Sequence, residues 1–223
     1  YYITKERHST PERKVKGEGL VFYSPEEAII AHNEKAVELH AIVKVRIKET
    51  NEEGETTQRL IETTVGRIIF NQHVPKNMKY INEVLTKKSL RSIISEVLIE
   101  NGVKAAADFL DDIKSLGYHM AFKGGLSFNL DEVIIPKEKQ ELIEEGNREV
   151  EEVLDTYNMG LITFNERYNQ IIDIWTHINS RLTGILLKQL SEDMGGFNSV
   201  YMMLDSGARG SKEQIKQLSG MRG

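Results

Sequence analysis

The sequence predicts an α+β fold: a β-containing body with short helices over about residues 1–130, then a helical part over about residues 131–223. Apolar and polar residues alternate over residues 38–50, which is typical of a half-buried strand. From residue 83 the apolar spacing changes to three and four residues, which is typical of amphipathic helices. Two long segments of this kind are joined by a few residues only, which predicts a long antiparallel αα-hairpin.

The body is predicted to contain a short helix and a β-hairpin. Ser24 suits an N-cap and Pro25 a first helical position, so we expect a helix over residues 25–33. The strand "ELHAIVKVRIKET" is followed by the turn "NEEGE" and by the returning strand "TTQRLIETT". Alternate side chains of the first strand should face the core, namely Leu39, Ala41, Val43, Val45 and Ile47.

Helices dominate the rest of the chain. "NEVLTKKSLRSIISEVLIENG" and "VKAAADFLDDIKSLGYHM" predict two helices punctuated by Gly102 and Gly117. "FKGGLSFNLDEVIIP" predicts a short strand or an extended connection. The hairpin helices are expected over about residues 137–157 and 164–192, with Thr163 and Glu166 forming a capping box, and a shorter helix should follow within "GGFNSVYMMLDSGARG".

Composition is that of an ordinary globular protein, with a net charge of −5 and no cysteine. The absence of cysteine excludes disulfides and thiolate metal sites. Residues 137–157 carry eight acidic and three basic side chains. This acidic run is either a solvated helix face or a docking surface for a basic partner. No histidine has the spacing of a metal ligand, and the sequence contains no P-loop, HExxH or GxSxG motif. We therefore expect no metal site within the chain.

The segment "DSGARGS" is a candidate phosphate-contacting loop. Gly207 and Gly210 flank Arg209 and permit unusual backbone conformations, and Ser206 and Ser211 add hydroxyl groups. A guanidinium in such a setting suits multidentate recognition of a phosphate. The alternative is a flexible loop with an exposed arginine.

Long motifs resemble those of one family, the β′ subunits of bacterial DNA-directed RNA polymerase. They are "KGEGLVFYSPEEA", "LHAIVKVRI", "TTVGRIIFNQHVP", "GLITFNERYNQIIDIW" and "FNSVYMMLDSGARGSKEQIKQLSGMRG", in the family's order. The resemblance covers almost the whole chain. It implies a pore and funnel region that lines the secondary channel for nucleoside triphosphate entry and ends at the start of the F-loop. Since the chain lacks an initial methionine and stops at "GMRG", we expect a piece of a longer polypeptide.

The resemblance also implies roles for single residues. Arg209 matches a cation that touches the triphosphate of the incoming nucleotide, and Gln214 and Arg222 would lie near the active centre. The hairpin matches the rim helices, where coiled-coil channel factors dock. The implied docking residues are Glu144, Glu145, Glu149, Glu151, Glu152, Asn169 and Asp173. Some family members bind a guanine tetraphosphate near Asp111, Tyr168, Asn169 and Asp173, but Ser115 and Gln170 stand where an aromatic residue and a lysine are expected.

The implied enzyme is a nucleotidyltransferase that synthesises RNA. Its Mg²⁺ would be held by "NADFDGD", a motif absent from these residues, so the chain alone should form no phosphodiester bonds. The implied partners are the rest of β′, the β, α and ω subunits, nucleoside triphosphates, DNA, nascent RNA and the channel factors, in the cytoplasm and without a membrane. Apolar residues such as Ile68, Ile69, Phe70 and Met203 are expected to be exposed. The alternative function is a free-standing acidic αα-hairpin that acts as an interaction module.

Overall fold

A computed structural model describes residues 1–50 and 56–222. The chain forms two compact units, Tyr1–Leu126 and Ser127–Gly223, and each is described by itself. The predicted turn "NEEGE" lies outside the described residues.

The first unit contains a three-stranded sheet with the order β1-β2-β3. Strand β1 is Val21–Phe22, β2 is Ile42–Thr50 and β3 is Thr56–Thr64. β1 runs parallel to β2, and β2 runs antiparallel to β3. Helix α1, Pro25–Asn33, connects β1 to β2 in the sequence. The Ser24 side chain caps this helix by accepting the Glu27 N–H. The helix and the strand pair agree with their sequence-based predictions.

Alternation along β2 places one row of side chains in the core. Val43 and Val45 are fully buried and Ile47 nearly so, whereas Lys44, Arg46 and Lys48 are exposed. The buried row packs with apolar residues of α1 and of α2, Val65–Asn71. The sheet therefore has one core face and one solvent face.

The expected exposure of Ile68 and Phe70 was wrong. Ile68 and Phe70 are buried, with 1% and 4% of their surface exposed, and Ile69 and Met203 are partly buried. Ile68 packs in the sheet cluster, while Phe70 packs against Phe109 with ring centroids 6.4 Å apart. Ile68, Ile69 and Phe70 are covered by other elements of the first unit.

The N-terminal segment is fastened to α2 by a buried arginine. The Arg67 side chain donates to the Thr4 carbonyl oxygen at 2.9 Å, to Asn82 Oδ1 at 3.2 Å and to Glu6 Oε2 at 3.0 Å. These hydrogen bonds give partners to the guanidinium nitrogens of a residue that is only 7% exposed. The segment also passes so close to Gly66 that a Cβ there would lie 1.7 Å from the Ile3 carbonyl oxygen.

Helix α3, Lys87–Gly124, completes the first unit. Gly102 adopts a non-helical conformation (φ 77°, ψ 176°) and divides it, as the sequence predicted. Gly117 does not end a helix, so the prediction of a break there was wrong. The body was expected to contain short helices, and it also contains this long, kinked helix. Its buried residues, Val97 and Phe109 among them, form a second apolar cluster with Phe70.

The second unit is helical. A 3₁₀ turn at Leu130–Glu132 stands where the sequence allowed a short strand. Helices α4, Lys139–Asn158, and α5, Phe164–Glu192, form the hairpin, and α6, Ser199–Ser206, and α7, Lys212–Ser219, follow. Thr163 and Glu166 form the predicted capping box at the start of α5. With the sheet of the first unit, this arrangement confirms the α+β class.

One apolar stripe of α5 carries the packing of the second unit. Ile178 and Leu182 pack against Leu142 of α4, and Leu186 and Leu190 pack against Val200 of α6 and Ile215 of α7. The helices approach closely at Gly146, where a Cβ would lie 3.0 Å from the Trp175 ring.

His40 is a buried titratable group in the first unit. Its Nδ1 lies 2.9 Å from the Lys5 carbonyl oxygen, which can only accept, so Nδ1 carries the proton. Burial lowers the pKa of His40 from its ordinary 6.5 to about 4; the hydrogen bond to Lys5 and Glu38 raise it, and Arg7 and Arg13 lower it. The side chain is therefore neutral at pH 7.

The stability of the chain should fall as the pH drops from about 6.5 to about 4. In that window the unfolded chain protonates His40 and the folded chain does not, which favours unfolding by on the order of 2–3 kcal/mol at the acid end. Urea unfolding at several pH values measures the effect. His40→Gln keeps a donor for Lys5 but does not titrate, so its stability should depend less on pH across this window. Equal pH dependence in both proteins would contradict the assignment.

Candidate phosphate-contacting loop and acidic helical hairpin

The Arg209 loop connects α6 to α7 and is bounded on both sides by glycines with left-handed backbone conformations. Gly207 has φ +74° and caps α6 with its N–H, which bonds the Leu204 carbonyl oxygen. Gly210 has φ +84° and immediately precedes Ser211. Other residues adopt such angles only with strain, so the sequence "GARG" is adapted to this loop.

Two serines hold the loop by hydrogen bonds. Ser206 Oγ donates to the Met203 carbonyl oxygen at 3.1 Å and accepts the Ala208 N–H at 3.3 Å. Ser211 Oγ accepts the Gln214 N–H at 3.2 Å, and Gln214 Oε1 accepts the Ser211 N–H at 2.9 Å. This second pair is a capping box at the start of α7. The sequence interpretation missed it, although "SKEQ" has the required spacing.

The Arg209 guanidinium is exposed and has no hydrogen-bond or ion-pair partner among residues 1–50 and 56–222. Lys212 is exposed as well. Lys216 differs, because Glu213 pairs with it and its side chain is only 18% exposed. Arg209 is therefore available to an external anion, whereas the charge of Lys216 is partly offset within α7.

The helix that leads into the loop, α6, is held by hydrogen bonds at its start. Asn198 is fully buried and caps α6 by accepting the Tyr201 N–H at 3.0 Å. Its amide also donates to the Glu132 carbonyl oxygen at 3.0 Å and to Asp193 Oδ2 at 2.8 Å. Downstream, Met221 packs against the hairpin cluster and Arg222 is exposed. The loop thus projects from a fastened support.

The acidic side chains of α4 differ in their surroundings. Glu144, Glu149, Glu151 and Glu152 are exposed. Glu145 instead accepts a bond from Arg181 Nη1 of α5 at 2.6 Å, and this bond lowers the pKa of its carboxyl group. The exposed glutamates can face a partner, whereas Glu145 also joins the two hairpin helices.

The tip of the hairpin exposes apolar side chains. Met159 and Leu161 are 73% and 72% exposed. The Arg167 guanidinium lies 4.5 Å from the centroid of the Tyr157 ring and 4.7 Å from that of Phe164, within range of cation–π attraction. The sequence "NMGLIT" indicated a turn here, but the sequence interpretation missed the exposed apolar side chains and the stacking of Arg167.

The residues considered for a tetraphosphate lie in both units. Tyr168, Asn169, Gln170 and Asp173 are exposed on α5. In the first unit Ser115 is exposed, and the carboxylate of Asp111 accepts a bond from Lys114 at 2.7 Å. Because Ser115 and Gln170 replace the expected aromatic residue and lysine, we propose no tetraphosphate site.

Across the described ranges, no group of three or more His, Asp or Glu side chains is arranged to hold a metal ion. Within the same ranges, none of the helices combines the length and the apolar character needed to cross a membrane.

A larger residue at the closest point of the hairpin should loosen it. In Gly146→Val the added carbons would enter space where Cβ alone lies 3.0 Å from Trp175 and 3.4 Å from Ile178. We expect a loss of about 1–3 kcal/mol in unfolding free energy and a red shift of the fluorescence of Trp175, the single tryptophan. Gly184→Val is the matched control, because a Cβ at Gly184 meets nothing within 4 Å. Equal effects at both sites would refute the close packing.

Comparisons with known proteins give matches over both units. A family model described as "RNA polymerase Rpb1, domain 3" matches residues 1–133, and one described as "RNA polymerase Rpb1, domain 4" matches residues 162–223.

Curated relatives match along the entire chain. A DNA-directed RNA polymerase subunit beta′ of Bacteroides thetaiotaomicron is 63% identical over 223 residues, covering 100% of this chain and 15% of the relative. The corresponding subunit of Azobacteroides pseudotrichonymphae is 62% identical over 100% of this chain and 16% of the relative. That of Flavobacterium psychrophilum is 58% identical, again over 100% of this chain and 16% of the relative. The chain therefore spans about one sixth of the length of these relatives.

Proposed function

Because this chain belongs to the β′ subunit family of bacterial DNA-directed RNA polymerases, we propose that it lines the secondary channel through which nucleoside triphosphates reach the active centre. The observation that carries the proposal is the match over both units, at 63% identity along all 223 residues. A match of that extent argues against a free-standing acidic module.

Within the channel, Arg209 contacts the triphosphate of the incoming nucleotide. The support from the structure is a guanidinium that is exposed, without a partner in the described ranges, and presented from a glycine-bounded loop on a fixed base. Arg209 contributes by positioning the triphosphate electrostatically. An arginine stays protonated, so it donates hydrogen bonds but transfers no proton in the reaction. Gln214 and Arg222 follow Arg209 in the sequence, and this proposal places both near the active centre.

The chain acts as part of a nucleotidyltransferase in the cytoplasm. The catalytic Mg²⁺ is held by residues outside this chain in this proposal, because the "NADFDGD" motif that the family resemblance implies is absent from these residues. The remaining β′ residues, the β, α and ω subunits, DNA and nascent RNA are the proposed partners of the assembled enzyme.

The acidic hairpin is the proposed docking site for a coiled-coil channel factor with a basic surface. Its support is the row of exposed glutamates on α4, together with exposed Asn169 and Asp173 on α5. Opposite charge on a partner would accelerate encounter and make it depend on salt. Glu145 would act mainly through its bond to Arg181, by holding the helices in register.

Replacing the phosphate-contacting cation should weaken nucleotide binding. In the assembled polymerase, Arg209→Ala is expected to raise the KM for nucleoside triphosphate about tenfold or more, because a charge-assisted contact is worth roughly 1.5–3 kcal/mol. Rates of single-nucleotide addition across a concentration series measure it. Arg91→Ala, which removes an exposed arginine from α3, is the control and should leave the KM unchanged. An unchanged KM in Arg209→Ala would rule out the phosphate contact.

Neutralising the acidic face should slow docking of the factor. Glu151→Gln with Glu152→Gln should lower the association rate about threefold or more at low ionic strength, and the difference should shrink as salt is added. Stopped-flow binding of a channel factor to the assembled enzyme measures this. The control carries Glu96→Gln and Glu100→Gln, which remove the same charge from the exposed surface of α3. Equal rates for both double variants, or rates insensitive to salt, would contradict steering by α4.

A further inference from the structure

We propose that the capping box formed by Ser211 and Gln214 is a positioning device for Arg209. This inference rests on the proposed contact between Arg209 and the nucleotide phosphates. In it, neither Ser211 nor Gln214 touches the nucleotide. Together they fix the backbone from which the guanidinium extends.

The hydrogen bonds of the box are reciprocal. The Ser211 hydroxyl accepts the Gln214 N–H at 3.2 Å, and the Gln214 side-chain oxygen accepts the Ser211 N–H at 2.9 Å. Gln214 Oε1 is therefore directed at the backbone of the loop. The Ser211 N–H that it bonds lies two residues after Arg209, with only Gly210 between.

The box matters because the arginine has no restraint of its own. Its side chain bonds to nothing in the described ranges, and glycines on both sides give the backbone more freedom than any other residue would. Ser206 restrains the loop on the α6 side through Ala208. On the α7 side, the restraint is the capping box.

The box is itself anchored to the core. Ile215, the residue after Gln214, is 5% exposed and packs with Leu186 and Leu190 of α5. The start of α7 is thus fixed relative to α5. The capping box in turn restrains the backbone of Ser211, two residues after Arg209. A loop held in its binding conformation loses less entropy when the nucleotide arrives, so the box should lower the KM and leave the maximal rate unchanged.

The test uses polymerase assembled with full-length β′ that carries single changes. Ser211→Ala and Gln214→Ala each break the box, and Ser211→Thr keeps the accepting hydroxyl. Thr163→Ala removes the equivalent box from the start of α5 and controls for the general effect of losing a cap. The readouts are the KM and the maximal rate of single-nucleotide addition, with and without Arg209→Ala.

The proposal expects Ser211→Ala and Gln214→Ala each to raise the KM about fivefold, the factor that corresponds to an average lost cap, at an unchanged maximal rate. Ser211→Thr and Thr163→Ala should stay within about twofold of the unaltered enzyme. In the Arg209→Ala background the same box variants should raise the KM no further, because the group they position is gone.

Other outcomes overturn the proposal in distinguishable ways. If Gln214→Ala raises the KM and Ser211→Ala does not, Gln214 contacts the nucleotide directly. If the box variants raise the KM equally with and without Arg209, they act through another group. If Arg209→Ala raises the KM but the box variants do not, only the positioning role fails. An unchanged KM in Arg209→Ala rejects the phosphate contact and the inference that rests on it. Should Ser211→Ala fail to assemble, Gln214→Ala decides, since it removes a single hydrogen bond.

Discussion

The second unit depends on one contact, the burial of the apolar stripe along α5. Leu182, Leu186 and Leu190 are each fully buried, and a side chain of this kind contributes about 1.5–3 kcal/mol on burial. The stripe packs against α4 near its middle and against α6 and α7 near its end. A single rigid helix therefore supports the acidic face and the Arg209 loop. The two proposed activities, guiding a factor and contacting a nucleotide, share that support, so disruption of α5 should affect both.

The first unit is held together differently, by polar bonds as well as apolar packing. Arg67 is almost fully buried, and burial of an unpaired charge would cost several kcal/mol. The cost is offset because its three bonding nitrogens reach Thr4, Glu6 and Asn82, which come from two distant stretches of the sequence. The backbone of Ile3 also lies so close to Gly66 that only a glycine fits at position 66. Such a fastening leaves little room for the N-terminal segment to move.

Local patterns predicted much of this fold, and tertiary contacts account for most of what they missed. Strand β2 could be predicted because alternation places every second residue on one face. Gly117 was misread because one glycine costs a helix only about 1 kcal/mol, which neighbouring turns can offset. Ile68 and Phe70 were misjudged because distant elements cover them. At the candidate site, glycine spacing indicated the Arg209 loop, while its phosphate role came from the family resemblance. The bond between Glu145 and Arg181 could not be predicted from local patterns, because the two residues lie on different helices.

The contact between Gly146 and Trp175 has a consequence for how such sequences can change over evolutionary time. The two residues occupy the same narrow space between α4 and α5, where a methyl group on Gly146 would lie 3.0 Å from the indole ring. A larger residue at position 146 should therefore be tolerated better when the side chain at position 175 is smaller. Since the intermediate with both large residues is overpacked, substitutions should follow a preferred order, and the two positions should covary among descendants.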